Sequence, residues 1–263
     1  MTDVVNVYKE FDTNNELVAF SKFGNGHINS TYLVFSDDHK RYILQRINKS
    51  VFKDVDLLMN NISVVTNHLV SKKSETIQML KAKNGKLYVE INNEYYRMYE
   101  FINNTLSYEK PKDYKSVGIA ASAFGKFHNN LSDLDASLLK ETIPHFHDTP
   151  KRYRDLLNAI KKDKCHRVKT AQQEIEIVQK YIEYFSLITD GIDSGEIKLH
   201  ITHNDPKINN ALFDEITNEF RLVIDLDTVM PGSILFDFGD ALLRLRQGKR
   251  TTESSKGYLQ IGH

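Results

Sequence analysis

The chain has 263 residues, with 35 Lys plus Arg balanced by 35 Asp plus Glu, a single Cys and no Trp. This length allows one or two domains with a continuous core, and 12 Gly with 5 Pro are too few for a disordered chain. Zero net charge argues against a nucleic-acid-binding protein. No apolar run is long enough for a membrane span, and the start MTDVVNVYKE lacks signal-peptide features. One cysteine cannot form an internal disulfide, so we expect a reducing cytoplasm.

Residues 16–102 are predicted to form a small α+β lobe. LVAF, STYLVF and RYILQRI are β-branched and aromatic runs typical of strands, and Asn84-Gly85 within MLKAKNGKLYVEI is a strong hairpin signal. Five strands in one antiparallel sheet fit this region. Between the third and fourth strands, apolar residues at helical spacing predict a helix over about residues 55–70 that packs on the sheet.

The apolar period changes to that of a helix from residue 107. Stripes over residues 114–128 and 171–188 predict a mainly helical region, and IKLHIT, NALFD and FRLVID are predicted as short strands, the last two separated by a turn near residues 215–218. The segment RMYEFINN, residues 97–104, is predicted to link the lobes. We therefore expect a small lobe over 1–102, a helical lobe over 103–242 and a basic, aperiodic tail over 243–263.

The densest polar cluster is the segment THNDPKINN, residues 202–210, between two predicted strands. His203, Asp205 and Asn210 give the pattern HxDxxxxN, with the Asp-to-Asn spacing of the protein-kinase catalytic loop. Asp225 follows Asp205 by 20 residues, at the end of a strand in VIDLD. Singly, Asp205 could cap a turn and Asp225 could simply end its strand. Together with Asn210 they favour an Mg²⁺ site on nucleotide phosphates, because hard oxygen ligands suit this ion.

The chain resembles the aminoglycoside phosphotransferase and choline kinase superfamily in HNDPKINN, VIDLDTVMPG and DFGDA. Within it, the N-acetylhexosamine 1-kinases, which phosphorylate GlcNAc or GalNAc at the anomeric hydroxyl, are the most similar subgroup. The small-lobe strings GNGHINSTY, ILQRIN and RMYEFI are similar to that subgroup in the same order. The resemblance covers about residues 20–242.

This resemblance implies an α+β, protein-kinase-like two-lobed fold and a kinase that uses ATP and Mg²⁺ on a small-molecule sugar. It implies that Asp205 is the catalytic base or orienting carboxylate for the acceptor hydroxyl, and that Asn210 and Asp225 hold the metal. The role of Asp227 stays open. Positioning and charge neutralisation are the main requirements of phosphoryl transfer, and these three groups can supply them.

Nucleotide contacts are expected from the small lobe. Gly24 and Gly26 fit a hairpin loop whose backbone approaches phosphates closely, although an ordinary glycine turn predicts the same residues. Met98, Tyr99 and Phe101 lie where a connector backbone would bind adenine, and plain edge-strand packing predicts them equally well. No GxxxxGK[ST] motif occurs, which excludes a P-loop mechanism.

Arg46 in the third predicted strand is expected to bind the α and β phosphates, where most of the superfamily has Lys. The usual Glu partner is missing, because residues 51–73 contain no Glu. Asp54, Asp56 and Asn61 are the candidate substitutes.

Asp237, Phe238 and Gly239 spell the DFG triplet of protein kinases, yet Asp237 follows Asp205 by 32 residues. We therefore interpret Asp237 and Asp240 as structural, either capping a helix that begins near Ala241 or bracing the catalytic loop.

Two other functions remain open. One is a kinase of another small alcohol, of the choline, homoserine or aminoglycoside type, and the other is an inactive nucleotide-binding remnant. Members of the similar subgroup continue past DFGD with more helices. We therefore expect that the sequence is truncated and that its tail is translated out of frame.

Overall fold

The computed structural model describes residues 2–24, 28–110 and 114–250, so Gly26 and residues 251–263 lie outside it. The described ranges contain seven α-helices: α1 (Thr2–Lys9), α2 (Val55–Ser71), α3 (Tyr114–Asn130), α4 (Thr149–Lys162), α5 (Gln172–Lys180), α6 (Leu187–Asp193) and α7 (Ile234–Arg250). They contain ten strands: β1 (Leu17–Lys22), β2 (Ser30–Ser36), β3 (Arg41–Ile47), β4 (Val89–Ile91), β5 (Glu94–Glu100), β6 (Thr105–Leu106), β7 (His200–Thr202), β8 (Ala211–Asp214), β9 (Phe220–Val223) and β10 (Met230–Gly232). None of these helices is both long and apolar enough to cross a membrane.

Strands β1 to β5 form an antiparallel sheet in the order β1-β2-β3-β5-β4, which confirms the predicted five-stranded small lobe. Successive side chains point to opposite faces of a sheet. Helix α1 and the residues that follow it pack on one face, where Tyr8 and Phe11 share a core with Leu44 and Met98, and α2 packs on the other face. We did not predict α1, because its eight residues offer too few helical periods to recognise.

The predicted dipeptide does not form the regular hairpin that joins β4 to β5. Asn84-Gly85 closes a tight turn, with Gly85 at φ 81°, but the segment before it forms only isolated bridges. The hairpin joins β4 to β5 through Asn92 and Asn93, at φ 55° and 61°. Such two-residue turns need positive φ at both positions, which asparagine tolerates.

Helix α2 confirms the predicted helix and joins the two lobes. The Asp54 side chain caps it by accepting from the Leu57 N–H at 2.9 Å. Its buried face, including Ile62, belongs to one core with Phe127 and Leu226 of the large lobe. The helix therefore packs on the large lobe as well as on the sheet.

Asn61 is a fully buried polar residue of α2. Its Nδ2 donates to the carbonyl oxygens of Lys140 at 2.7 Å and Val229 at 3.1 Å, and its Oδ1 accepts from the Lys140 N–H at 3.1 Å. The lobes are therefore joined by hydrogen bonds as well as by apolar contact.

The large lobe combines helices with two small sheets, β6-β8-β9 and β7-β10. The β8–β9 hairpin agrees with the predicted strands and turn. The predicted stripe over residues 171–188 is divided among α5, a 3₁₀ turn and α6, and Ile175 is the buried apolar residue of α5. Strand β5 ends at Glu100 and β6 belongs to the other lobe's sheet, while the boundary at residue 102 stays a prediction.

Helix α7 begins at Ile234, seven residues before the predicted start at Ala241, and continues to Arg250. The first eight residues of the predicted aperiodic tail are therefore helical. The remainder of that tail lies outside the described residues.

We expect Asn61→Ala to lower the free energy of unfolding by about 3 kcal/mol, because buried backbone groups left unpaired cost about 1–3 kcal/mol each. Urea denaturation measures this. Asn67→Ala, at an exposed position of the same helix, is the control and should change stability by at most about 0.5 kcal/mol. Equal losses in both variants would contradict the role assigned to Asn61.

Candidate active site

The predicted catalytic loop, residues 202–210, runs from the end of β7 to the start of β8. Asn204 has a left-handed backbone, with φ 64°, which asparagine adopts more readily than most residues. Its Nδ2 donates to the carbonyl oxygens of Thr202 at 3.2 Å and Thr228 at 2.8 Å, and its Oδ1 accepts from the Thr202 hydroxyl at 3.0 Å. These bonds fix the turn that presents Asp205.

His203 is fully buried and connects Asp205 with Ile224, the residue that directly precedes Asp225. Its Nδ1 accepts from the Asp205 N–H at 3.3 Å, and its Nε2 lies 3.0 Å from the Ile224 carbonyl oxygen. These two partners require a neutral ring with the proton on Nε2. Burial lowers the pKa of His203, which favours that neutral form. One rigid ring thus relates the positions of the two aspartates.

Asp237 supports the loop from within the large lobe. Its carboxylate accepts from the N–H groups of His203 at 2.8 Å and Asn204 at 2.7 Å, and it lies 2.8 Å from Nε2 of His128. Because α7 begins at Ile234, Asp237 lies in its first turn and not at its cap. Asp237 is therefore the brace under the loop, one of its two predicted roles.

Asp205 and Asn210 contact each other directly. Asn210 Nδ2 donates to the Asp205 carbonyl oxygen at 2.9 Å and to its Oδ2 at 3.3 Å. Lys207 Nζ lies 2.6 Å from the same Oδ2. Because the amide nitrogen of Asn210 faces Asp205, its amide oxygen is the atom that can ligate a metal.

Asp225 lies beside this pair. The Ile224 N–H donates to the Asn210 carbonyl oxygen at 2.8 Å, which places Asp225 directly after the β8–β9 hairpin. Its backbone is left-handed, at φ 59° and ψ 58°, which costs about 1–3 kcal/mol for a residue other than glycine. Partial desolvation by the surrounding protein and the nearby carboxylate of Asp227 raise the pKa of Asp225, whose side chain still reaches solvent. Strain and a raised pKa together are typical of functional positions.

The donors gathered here fit Mg²⁺ bound together with a nucleotide. Asp225 offers a carboxylate whose negative charge is poorly compensated, and Asn210 offers an amide oxygen. Within the described ranges, no group of three or more His, Cys, Asp or Glu is arranged to hold a metal. Mg²⁺ is commonly bound by one or two carboxylates, with water and substrate phosphates as the other ligands. Asn210 and Asp225 would therefore supply two of the ligands, and water and nucleotide phosphates the others.

Arg97, to which the sequence analysis assigned no role, is the buried cation near this site. Its Nη1 lies 2.5 Å from Asp227 Oδ1, and each side chain of the pair is 4% exposed. Asn29 Nδ2 donates to the other carboxylate oxygen of Asp227 at 2.6 Å. The sequence signal for Arg97 is its place in the run EYYRMYE, residues 94–100. Alternation along a strand puts it on the same face as the aromatic side chains of Tyr95 and Tyr99.

The structure corrects the placement of Arg46. It lies opposite Tyr96 in β5, on the α1 face of the sheet, and its guanidinium is 3.5 Å from Glu94. Gln45, one position earlier, lies on the other face, where it binds Arg97. A shift of one residue in a strand reverses the direction of a side chain, which is why Arg46 does not reach the site.

The three partners suggested for Arg46 are engaged elsewhere. Asp54 caps α2, and Asn61 binds the backbone of the large lobe. Asp56 accepts from the Tyr88 hydroxyl at 2.8 Å, and Lys86 Nζ lies 3.3 Å from the same oxygen.

The residues predicted to bind adenine lie in strand β5, as Met98 and Tyr99 do, or directly after it, as Phe101 does. The Met98 side chain is fully buried on the α1 face, and its carbonyl oxygen accepts from the Leu80 N–H at 2.8 Å. The Phe101 N–H donates to the Arg41 carbonyl oxygen at 2.9 Å. These backbone groups are therefore bonded within the small lobe. Tyr99 lies on the opposite face of β5 from Met98.

Gly24 is the described member of the predicted glycine pair, and Gly26 lies outside the described residues. Gly24 follows β1 at φ 72°, a left-handed conformation that favours glycine. A Cβ atom added there would meet no other atom within 4 Å. In this structure the position therefore requires glycine for its backbone conformation.

We expect Asp237→Asn to lower the free energy of unfolding by about 3 kcal/mol, because hydrogen bonds to a charged group contribute about 1.5–3 kcal/mol each. Urea denaturation is the measurement. Asp190→Asn, an exposed acid in the first turn of α6, is the matched control and should stay within about 0.5 kcal/mol of the unmodified chain. A stability loss no larger than that of the control would exclude the brace.

Comparisons with known proteins agree with this geometry. The protein-kinase-like two-lobed fold is shared with an aminoglycoside phosphotransferase from Alicyclobacillus acidocaldarius subsp. acidocaldarius DSM 446, at 14% identity and a TM-score of 0.61, covering 92% of this chain and 71% of that one. It is shared with a spectinomycin phosphotransferase in complex with ADP and spectinomycin (14%, 0.61, 98% and 80%) and with a microcompartment-associated aminopropanol kinase (15%, 0.57, 99% and 82%). A model of the phosphotransferase enzyme family matches residues 19–260, and the chain therefore belongs to this family.

Proposed function

We propose that this phosphotransferase is an N-acetylhexosamine 1-kinase, which transfers the terminal phosphoryl group of ATP to the anomeric hydroxyl of GlcNAc or GalNAc with Mg²⁺. The contact of Asp205 with Asn210, beside Asp225, is the observation that carries the kinase chemistry. The acceptor rests on the sequence resemblance described above. The single exposed cysteine fits a cytoplasmic protein supplied with ATP.

In this proposal the loop residues position the reactants. Asp205 accepts a hydrogen bond, and then the proton, from the acceptor hydroxyl, and His203 fixes the backbone of that loop. Asn210 and Asp225 would hold Mg²⁺, which neutralises the charge on the phosphate oxygens. Lys207 Nζ, 2.6 Å from Asp205 Oδ2, helps to hold this carboxylate in place.

The anomeric hydroxyl suits a carboxylate base. It is more acidic than other sugar hydroxyls, so a carboxylate can accept its proton during transfer. The competing acceptor is an amino alcohol or an aminoglycoside, which the names of the structurally similar kinases support.

Purified protein with Mg²⁺ and ATP should phosphorylate GlcNAc and GalNAc and leave choline, homoserine and kanamycin unmodified. ³¹P NMR of the products identifies a sugar 1-phosphate, because the phosphorus couples to the anomeric proton. Transfer only to choline, homoserine or kanamycin would replace the acceptor and keep the kinase. Stabilisation by Mg²⁺ and ATP in a thermal-shift assay, with no product from any acceptor, would instead support an inactive nucleotide-binding protein.

We expect Asp205→Asn to lower kcat about 10²- to 10⁴-fold, the usual range for loss of general base catalysis, with ATP binding retained. Asp225→Asn should instead raise the Mg²⁺ concentration needed for half-maximal rate. Initial rates over a magnesium titration measure both effects. Glu219→Gln, an exposed carboxylate in the turn of the β8–β9 hairpin, is the control and should match the unmodified chain. A fully active Asp205→Asn protein is incompatible with the proposed base.

A further inference from the structure

Side chains of the small lobe bind Asp227, which lies in the same segment as Asp225. The two carboxylate oxygens of Asp227 are bound by two small-lobe side chains, Arg97 Nη1 at 2.5 Å and Asn29 Nδ2 at 2.6 Å. Asp227 lies in the 3₁₀ turn Leu226–Thr228, two residues after Asp225. The position of this turn relative to the sheet is therefore set by these contacts.

The two donors are themselves held in place by the sheet. Gln45 Oε1 accepts from Arg97 Nε at 3.0 Å and Nη2 at 2.8 Å, and Gln45 Nε2 donates to the Thr31 hydroxyl at 3.0 Å. Thr31, Gln45 and Arg97 are direct neighbours across β2, β3 and β5. They form a polar row across the inner face of the sheet, which fixes the guanidinium before it meets Asp227.

Asn29 is fixed in the same way. Its Oδ1 accepts from the Asn48 N–H at 3.0 Å, and Asn48 Nδ2 donates to the Ile28 carbonyl oxygen at 3.2 Å. Residues at the start of β2 and the end of β3 thus support the second donor to Asp227. The Asp227 carboxylate is therefore bound both by Arg97 of β5 and by Asn29, which directly precedes β2.

Stability alone does not explain such a pair. Removing both charges from water costs several kcal/mol per ion, and a buried ion pair often stabilises no more than apolar residues of similar volume. What the pair does provide is a restricted geometry, because a buried guanidinium whose other nitrogens are held by Gln45 reaches the Asp227 carboxylate at few relative placements of the two lobes. We therefore expect the two lobes to have one preferred relative orientation.

We propose that Arg97 and Asn29 are positioning residues that clamp Asp227 and thereby hold the cleft in the arrangement in which Asp225 faces the nucleotide phosphates. The part that concerns the nucleotide rests on the proposed function. The clamp itself is a property of the fold, so it can be tested without any substrate.

The first experiment measures the distance between the lobes in the full chain without nucleotide. Spin labels on Lys83→Cys in the small lobe and Asn158→Cys in α4, both exposed, are introduced with Cys165→Ser, and their separation is measured by double electron–electron resonance. We expect one narrow distance distribution, which Arg97→Gln and Asp227→Asn each broaden or shift. Unchanged distributions in both folded variants would overturn the clamp.

The second experiment is a double-mutant cycle on the dissociation constant of Mg²⁺ and ADP, measured by titration calorimetry. We expect Arg97→Gln and Asp227→Asn each to weaken binding about tenfold, and the double variant to be no more than about threefold weaker than either, because each single change already releases the clamp. A hundredfold loss in the double variant would show independent effects and contradict the proposal. Wild-type affinity in both single variants would also contradict it, whatever their loss of stability.

The control cycle uses Lys72 and Asp133, an exposed ion pair at 2.5 Å that also joins α2 to the segment after α3. Lys72→Gln and Asp133→Asn should leave both the distance distribution and the ADP affinity unchanged. A wild-type chain that binds no Mg²⁺ and ADP would refute the proposed function, while the distance measurement would still decide the clamp.

Discussion

Buried negative charge is the constraint that organises this molecule. Four aspartates lie in or near the catalytic loop, and the two buried ones, Asp227 and Asp237, need compensation because water is largely excluded from them. Asp237 receives two backbone N–H groups and a histidine, Asp227 receives Arg97, and Asp205 receives Lys207. Asp225 is the least compensated, and its surroundings together with the Asp227 carboxylate raise its pKa. The remaining deficit of positive charge lies where a divalent cation would be useful.

The junction of the lobes explains why the fold combines two lobes without separating their cores. Helix α2 contributes to a core that reaches the large lobe, and Asn61 bonds to the backbone of Lys140 and Val229. The loop, the metal-binding segment and the sheet are thus positioned by one continuous set of contacts. A site of this kind depends on lobe packing as much as on its own side chains.

Local sequence patterns were enough to predict the loop and hairpin of this site. They could not predict toward which face of the sheet each strand side chain points. The HxDxxxxN spacing and the β8–β9 hairpin follow from turn chemistry and strand length, so they could be recognised from sequence. Arg46 and Arg97 both lie in strands, and which face each occupies depends on a register that only pairing with neighbours defines. The hairpin at Asn92-Asn93 was hidden by Asn84-Gly85, a stronger turn signal that closes no strand pair.

The polar row across the small-lobe sheet has an evolutionary consequence. Replacing either Arg97 or Asp227 alone by an apolar side chain would leave the other as an uncompensated buried charge. Such a single replacement is strongly destabilising. Positions 45, 97 and 227 should therefore change together in descendants of this sequence, through intermediates that fold poorly. A substitution at one of these positions alone should rarely be retained. Homologous chains should therefore either keep all three polar side chains or have replaced all three.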